Sequence, residues 1–379
     1  MQNHAIRTGD QRDSRALTEF FKGIAILLVI LVHSHQSFAL SPVWSAFPRF
    51  GQMGTQLFFV LSSFGLCHSF AKKQPRFLPH MKKRISKLAI GYWGAILLHA
   101  IYRAITASVT KGDVLSALNL PGIVINVLFL NGFVYGNGIN NSIVRGGWYV
   151  GTTVILYALF PLLYKLYFEN GRDGWKKIRI VVFPLSLFCA ASLDVILWGS
   201  LHPALSLDNN SFLYFSFLNQ LTPFVLGIVL YDLRERICKK RYTLPLFALT
   251  LSSSVVLFFG DWKLSFVICP TLVALSFLFL YLSFWNSQTA MERIDRNTSL
   301  WIRAVRGFGR VSFPIYLTHT FIVYEFAGFC LRYLRPICSN ELLLYVILLP
   351  IEICLIRIVG YGYDRLISAI QKTKRKPTK

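Results

Sequence analysis

Residues 22–33 read KGIAILLVILVH. A lysine opens the stretch, ten uncharged and mostly apolar residues follow, and a histidine closes it. Taken with its flanks, 20–40, it is long enough to cross a bilayer core of ~30 Å as an α-helix rising ~1.5 Å per residue. Apolar runs recur at 57–67, 88–101, 178–199, 243–260, 264–285 and 342–359. Hydrophobic residues make up 54% of the chain, and its mean hydropathy is positive. Only helices or closed barrels satisfy their backbone polar groups in lipid. The alternating pattern of a membrane barrel is absent. The fold class is therefore an all-α polytopic membrane protein.

Ten spans are expected, at 20–40, 51–71, 86–105, 148–168, 178–199, 211–231, 243–260, 264–285, 311–331 and 341–361. The stretch 120–134 holds Pro121, Asn126, Asn131 and Gly132, and either re-enters the membrane or lies at its interface. Cations cluster between spans: Lys72, Lys73, Arg76, Lys82, Lys83, Arg84 and Lys87; then Lys165, Arg172, Lys176, Lys177 and Arg179. Further clusters are Arg234, Arg236, Lys239, Lys240 and Arg241; Arg293, Arg296, Arg303, Arg306 and Arg310; and a tail with Lys372, Lys374, Arg375, Lys376 and Lys379. The opposite loops 41–50 and 200–210 are nearly free of them. Basic loops stay in the cytoplasm, so both termini are expected there. The chain divides into a cytoplasmic segment 1–19, a transmembrane domain 20–361 and a basic cytoplasmic tail 362–379.

The net charge of +23 is spread over these loops rather than gathered on one face, which argues against nucleic acid. The seven cysteines lie mostly in or beside apolar runs and form no C-x-x-C pair, so neither a metal site nor a disulfide framework is expected. Residues 1–19 are polar, and no small-residue cleavage site follows, so no cleavable leader is expected.

Eleven positions separate Lys22 from His33. At ~100° and ~1.5 Å per residue they share one helix face, ~16 Å apart. An ionisable side chain inside a span is costly and points to a site, and histidine is the usual general base near neutral pH. Alternatively, His33 caps the outer helix end beside Ser34, His35 and Gln36. His35 points ~200° away.

Other segments carry further patterns: GTQLFFVLSSFGL at 54–66, HMKKRISKLAIGY at 80–92, WYVGTTVILYALFP at 148–161, NQLTPFVLGIVL at 219–230 and GRVSFPIYLTH at 309–319. In this order, with the Lys-x10-His opening, they resemble the acyltransferase-3 family of integral membrane acyltransferases. Ser63 stands where that family usually has glycine, Lys87 where it has a second arginine, and Thr153 where an acidic residue is common.

The resemblance implies a bundle of about ten helices in a bacterial cytoplasmic membrane. It implies an O-acyltransferase, most often an O-acetyltransferase, that uses cytoplasmic acetyl-CoA as co-substrate, with no permanently bound cofactor and no metal. The acceptor would be a hydroxyl of a cell-surface carbohydrate or glycolipid: lipopolysaccharide, capsule, exopolysaccharide, peptidoglycan or a small glycolipid. Some members carry a fused extracytoplasmic domain that assists transfer. This chain ends about 20 residues after the last expected span, so it would complete the transfer itself or use a separate extracytoplasmic transfer partner.

Within that reading His33 is the catalytic base. Lys22, Arg84 and Lys87 bind the donor phosphates, from which the pantetheine arm runs along the Lys22–His33 stripe; these cations also suit topology or lipid phosphate. His319, Tyr316 and Ser312 line the substrate pocket, where His319 orients the acceptor or binds the oxyanion, or else makes an interhelical hydrogen bond. Trp148 and Tyr149 either contact the sugar or belong to an aromatic belt. Ser62 and Ser63 suit close helix approach better than nucleophilic attack, since no G-x-S-x-G elbow surrounds them. The alternative function is a transporter or flippase using the intramembrane histidines, although no repeated half is visible.

Overall fold

The computed structural model describes residues 8–132, 143–169, 174–201, 214–234, 236, 240–260 and 264–373. Every described element is helical. In chain order these are α1 (Thr8–Ser34), α2 (Pro42–Phe50), α3 (Gly54–Lys72), α4 (Phe77–Val109), α5 (Val114–Leu118), α6 (Leu120–Val127), α7 (Gly147–Phe168) and α8 (Trp175–Leu201). Helices Phe217–Leu233, Lys240–Phe259, Ser265–Trp285, Gln288–Asp295, Leu300–Arg310, Ser312–Thr320, Ala327–Leu334 and Glu341–Thr373 follow. Among the expected features, residues 133–134, most of the 200–210 loop, Arg172, Lys239 and the tail cations Lys374, Arg375, Lys376 and Lys379 lie outside the described residues.

Six described helices are long and apolar enough to cross a membrane: Arg15–Ser37, Phe77–Val109, Gly147–Phe168, Tyr242–Phe259, Ser265–Trp285 and Glu341–Thr373. The other four expected spans also form helices, but each departs from a plain apolar rod. α3 carries Gln56, Ser62, Ser63 and His68. α8 opens on Trp175, Lys176 and Arg179 and includes Asp194. Phe217–Leu233 has 17 residues, or ~26 Å, short of the ~30 Å core. The expected 311–331 span is divided by a π-helical turn at Phe321–Phe326. The last helix runs on to Thr373, past the expected boundary at 361. It is pinned there by Tyr363, whose hydroxyl donates to the Gly91 carbonyl at 2.6 Å.

The apolar helices differ in what they cover. Only 11% of the Tyr242–Phe259 window and 28% of the Glu341–Thr373 window is buried, against 56% for Arg15–Ser37. Leu249, Val256, Val346, Ile347 and Ile358 are exposed. Apolar faces of that extent need lipid rather than water, so these helices form the rim and α1 the axis. Along α1, Leu17, Phe21, Ala25, Ile26 and Ile30 are fully buried, packed against α3, Leu300–Arg310 and Ser312–Thr320.

Two features lock α1 to Leu300–Arg310. A Cβ on Gly309 would strike the Glu19 carbonyl oxygen, and one on Gly23 the Val305 carbonyl oxygen, so the two backbones touch. Beside that crossing, Glu19 accepts from Arg306 at 3.0 Å, Arg310 at 3.1 Å and Arg15 at 3.1 Å. In lipid, small residues and interhelical polar bonds replace the hydrophobic drive.

The ambiguous stretch 120–134 is no single span. Pro121 opens α6, which has eight residues, or ~12 Å, and a 3-10 turn follows at Leu130–Gly132. Its asparagines explain where it docks: Tyr92 donates to Asn126 Oδ1, and Asn131 Nδ2 donates to the Tyr92 hydroxyl at 2.8 Å. This buried cluster ties α6 to α4 and to Gly147 at the start of α7.

Candidate active site

His33 lies in the last turn of α1 and is partly exposed. Its Nδ1 is 2.9 Å from the Tyr324 hydroxyl. That hydroxyl donates its one proton to Gln36 Oε1 at 2.5 Å. Nδ1 of His33 must therefore be the donor to Tyr324, which leaves Nε2 as the lone-pair nitrogen. The His319 ring stands 5.1 Å away. His319 is fully buried; its Nδ1 donates to the Tyr316 carbonyl at 2.8 Å, and its Nε2 has no partner among the described residues. Each imidazole is thus anchored through Nδ1, which leaves Nε2 as the nitrogen able to take a proton. A positioned imidazole is the equipment of a general base.

The π-helical turn produces this pairing. Tyr324 is five residues beyond His319; in an α-helix it would point ~140° away. A π turn bonds i to i+5 and brings such residues onto one side. Arg145 completes the cluster, with its guanidinium carbon 4.0 Å from the Tyr324 ring centroid.

A line of hydroxyls leads away from the histidines. The Tyr316 ring lies 5.8 Å from His319 and 5.0 Å from Tyr149, and its hydroxyl donates to the Gly146 carbonyl at 2.8 Å. Gly146 supplies that carbonyl from φ +82, a left-handed conformation that a side chain would strain. Ser62 stands near enough to bear on both the Tyr149 and the Tyr157 phenol, and Tyr157 acts electrostatically on Arg84. Ser62, Tyr157 and Arg84 are all partly exposed.

At the other end of the Lys22–His33 stripe, an open cleft of about 480 Å³ is lined by Arg15, Glu19, Lys22, Phe64, His68 and Arg310, among others. The charge of Lys87 also acts on Lys22. His68 stands on edge to Phe64 and Tyr231, with centroids 4.8 and 4.9 Å apart, and its Nε2 has no partner among the described residues.

The structure thus brings His33, His319, Tyr316 and Tyr149 into one cluster, and Lys22 and Lys87 into another. Arg84 is half-buried beside Tyr157 and His80. Ser312 is buried, seven residues and ~10 Å before His319 on the same helix face. Trp148 stacks on Phe215 at 4.7 Å and reaches Tyr214 and Phe59. The stripe itself is not an open path. Between Lys22 and His33 it carries Ile26, Val29 and Ile30, all buried, and His33 is not among the walls of the Lys22 cleft. Sequence reading gave no site role to Tyr324, Arg145, Arg310 and His68, because each joins the site through approach of distant segments; Gln36 and Arg15 are local to α1 and its end, but their partners, Tyr324 and the Glu19 and Arg310 pair, are set by packing.

Two departures from the expected motifs have structural explanations. Ser63 donates across the helix crossing to the Phe224 carbonyl and lies against Gly227. Thr153 is buried and donates to the Tyr149 carbonyl at 2.7 Å, so its hydroxyl is spent within its own helix.

An apolar helical bundle with an anchored imidazole pair at one end and a cationic cleft at the other fits an integral membrane protein. Comparison with known families makes this specific: the profile of the acyltransferase-3 family, described as an acyltransferase domain, matches residues 18–359. The chain belongs to that family, and is a membrane acyltransferase. No curated protein and no solved structure gives a significant match.

Proposed function

We propose that the protein is an O-acyltransferase of about ten spans, with both termini cytoplasmic, in a bacterial cytoplasmic membrane. It moves an acyl group, acetyl first among the candidates, from cytoplasmic acyl-CoA to a hydroxyl of a cell-surface carbohydrate. The observation that carries the reading is His33 anchored through Nδ1, on the same helix face as a lysine that lines a cationic cleft.

The donor's phosphates dock among Lys22, Arg15 and Arg310, with the charge of Lys87 acting on the same place and Arg84 meeting the donor from beside Tyr157; guanidinium groups grip phosphate bidentately. His33 Nε2 takes the acceptor hydroxyl's proton as the oxygen attacks the thioester carbonyl. The C–S bond breaks, an ester forms, and the departing thiolate receives a proton from the imidazolium. General-base help of this kind contributes roughly 10²–10⁴ in rate. His319, Tyr316 and Tyr149 line the pocket, with Trp148 and Ser312 behind them. Family membership favours transfer over transport for the two histidines.

The test is His33→Ala in cells whose envelope glycans are examined by mass spectrometry. Loss of one acyl modification at unchanged protein level is expected. Full acylation by His33→Ala overturns the proposal.

A further inference from the structure

Arg145 lies two residues before α7, at the His33 end of the bundle. Its guanidinium rests on the Tyr324 ring at 4.0 Å, and the same phenol holds His33, with their ring centroids 6.1 Å apart. The side chain is exposed, and among the described residues no carboxylate forms an ion pair with it. A second cation, Arg103, is close enough for the charge of Arg145 to act on it. The carboxylate of that neighbourhood, Glu325, accepts from Tyr102 at 2.5 Å and acts on Arg103. Arg49 adds positive potential on the side of His35.

Stacking on the phenol uses the flat face of the guanidinium and fixes its direction. One edge donor also engages the Tyr324 hydroxyl, and the remaining N–H donors face outward with the geometry that matches the oxygens of a carboxylate or phosphate. Arg145, whose charge acts on His33, stands on the side of the molecule poor in basic loops, against the topological preference for cations elsewhere. An anionic ligand that arrives with the substrate complements that charge.

We infer that Arg145 binds a carboxylate or phosphate carried by the acceptor, so that the glycan acylated here is an acidic one and its charged group sits within a sugar ring or two of the hydroxyl that His33 deprotonates. This rests on the acyltransferase reading above. It makes Arg145 a specificity determinant rather than part of the proton transfer.

Envelope glycans from cells carrying the wild-type protein, His33→Ala, Arg145→Gln and Arg145→Lys, at matched protein levels, test it by mass spectrometry. The acyl-bearing unit that disappears in His33→Ala is expected to carry a uronate or a phosphate, which its mass distinguishes. Arg145→Gln is expected to lower that acylation tenfold or more, and Arg145→Lys to restore part of it. In membrane vesicles, glucuronate or glucose 6-phosphate should inhibit wild-type transfer where glucose does not, and Arg145→Gln should erase the difference. A purely structural arginine gives no such selectivity. A neutral acylated unit, or an acidic one whose acylation survives Arg145→Gln, overturns the inference while leaving the acyltransferase reading intact. If His33→Ala changes no acylation at all, that reading fails and this inference fails with it.

Discussion

Tyr324 decides which nitrogen of His33 is the base. Its hydroxyl gives its proton to Gln36 and accepts from His33 Nδ1, so Nε2 is left free. Without the hydroxyl, the imidazole populates both tautomers and turns more freely. A net hydrogen bond of this kind is worth about 1 kcal/mol, so Tyr324→Phe should lower kcat by roughly fivefold and leave KM for acyl-CoA unchanged. Steady-state assays of CoA release in membrane vesicles check this; an unaltered kcat would mean the tautomer is set elsewhere. Lys22 and His33 were legible because an eleven-residue interval is a property of one helix. Tyr324 was not, since its place depends on a π turn that no local residue announces and on an approach across almost three hundred positions of chain.

Elements were legible where they are apolar and uninterrupted, and less so where the chain bends. α7 and Ser265–Trp285 fall close to their expected spans, whereas α1 begins at Thr8, well before the expected 20, and ends at Ser34, short of the expected 40. The two short helices Gln288–Asp295 and Leu300–Arg310 were read only as a basic loop, because their apolar residues are interleaved with cations. Yet Leu300–Arg310 holds the central helix. Its Arg306 is buried, donates to the Ile294 carbonyl and Asn297 at 2.8 Å each, and meets Glu19. Removing one partner of a buried pair strands the other charge, at about 3–5 kcal/mol. Glu19→Ala should therefore sharply lower the thermal midpoint in detergent. The backbone crossing makes a second prediction at this scale. Gly309→Leu should abolish folded yield, whereas Gly65→Leu, with nothing within 4 Å of its Cβ, should not. Equal yields of the two variants on size-exclusion chromatography would show that the crossing tolerates a side chain.

Over the whole molecule, the proposed donor dock and the proposed base are separated by ~16 Å of helix, and the two ends were legible while the path between them was not. The straight route along α1 is filled by Ile26, Val29 and Ile30, which are buried in the core. Packed aliphatic side chains leave no room for a thioester arm, and opening that seam would expose the best-buried part of the bundle. The other route follows Arg84, Tyr157, Ser62, Tyr149 and Tyr316 to His319. It is partly accessible as far as Ser62, and its hydroxyls match an arm that carries amides. The two routes make opposite predictions for a bulky residue at Ser62. If the arm takes the hydroxyl-lined path, Ser62→Trp should reduce acyl transfer at least tenfold, while acyl-CoA, bound through its phosphates at the Lys22 cleft, still raises the thermal midpoint of the purified protein. Retention of both transfer and stabilisation would exclude this path and return the arm to the α1 seam, which must then part during each turnover.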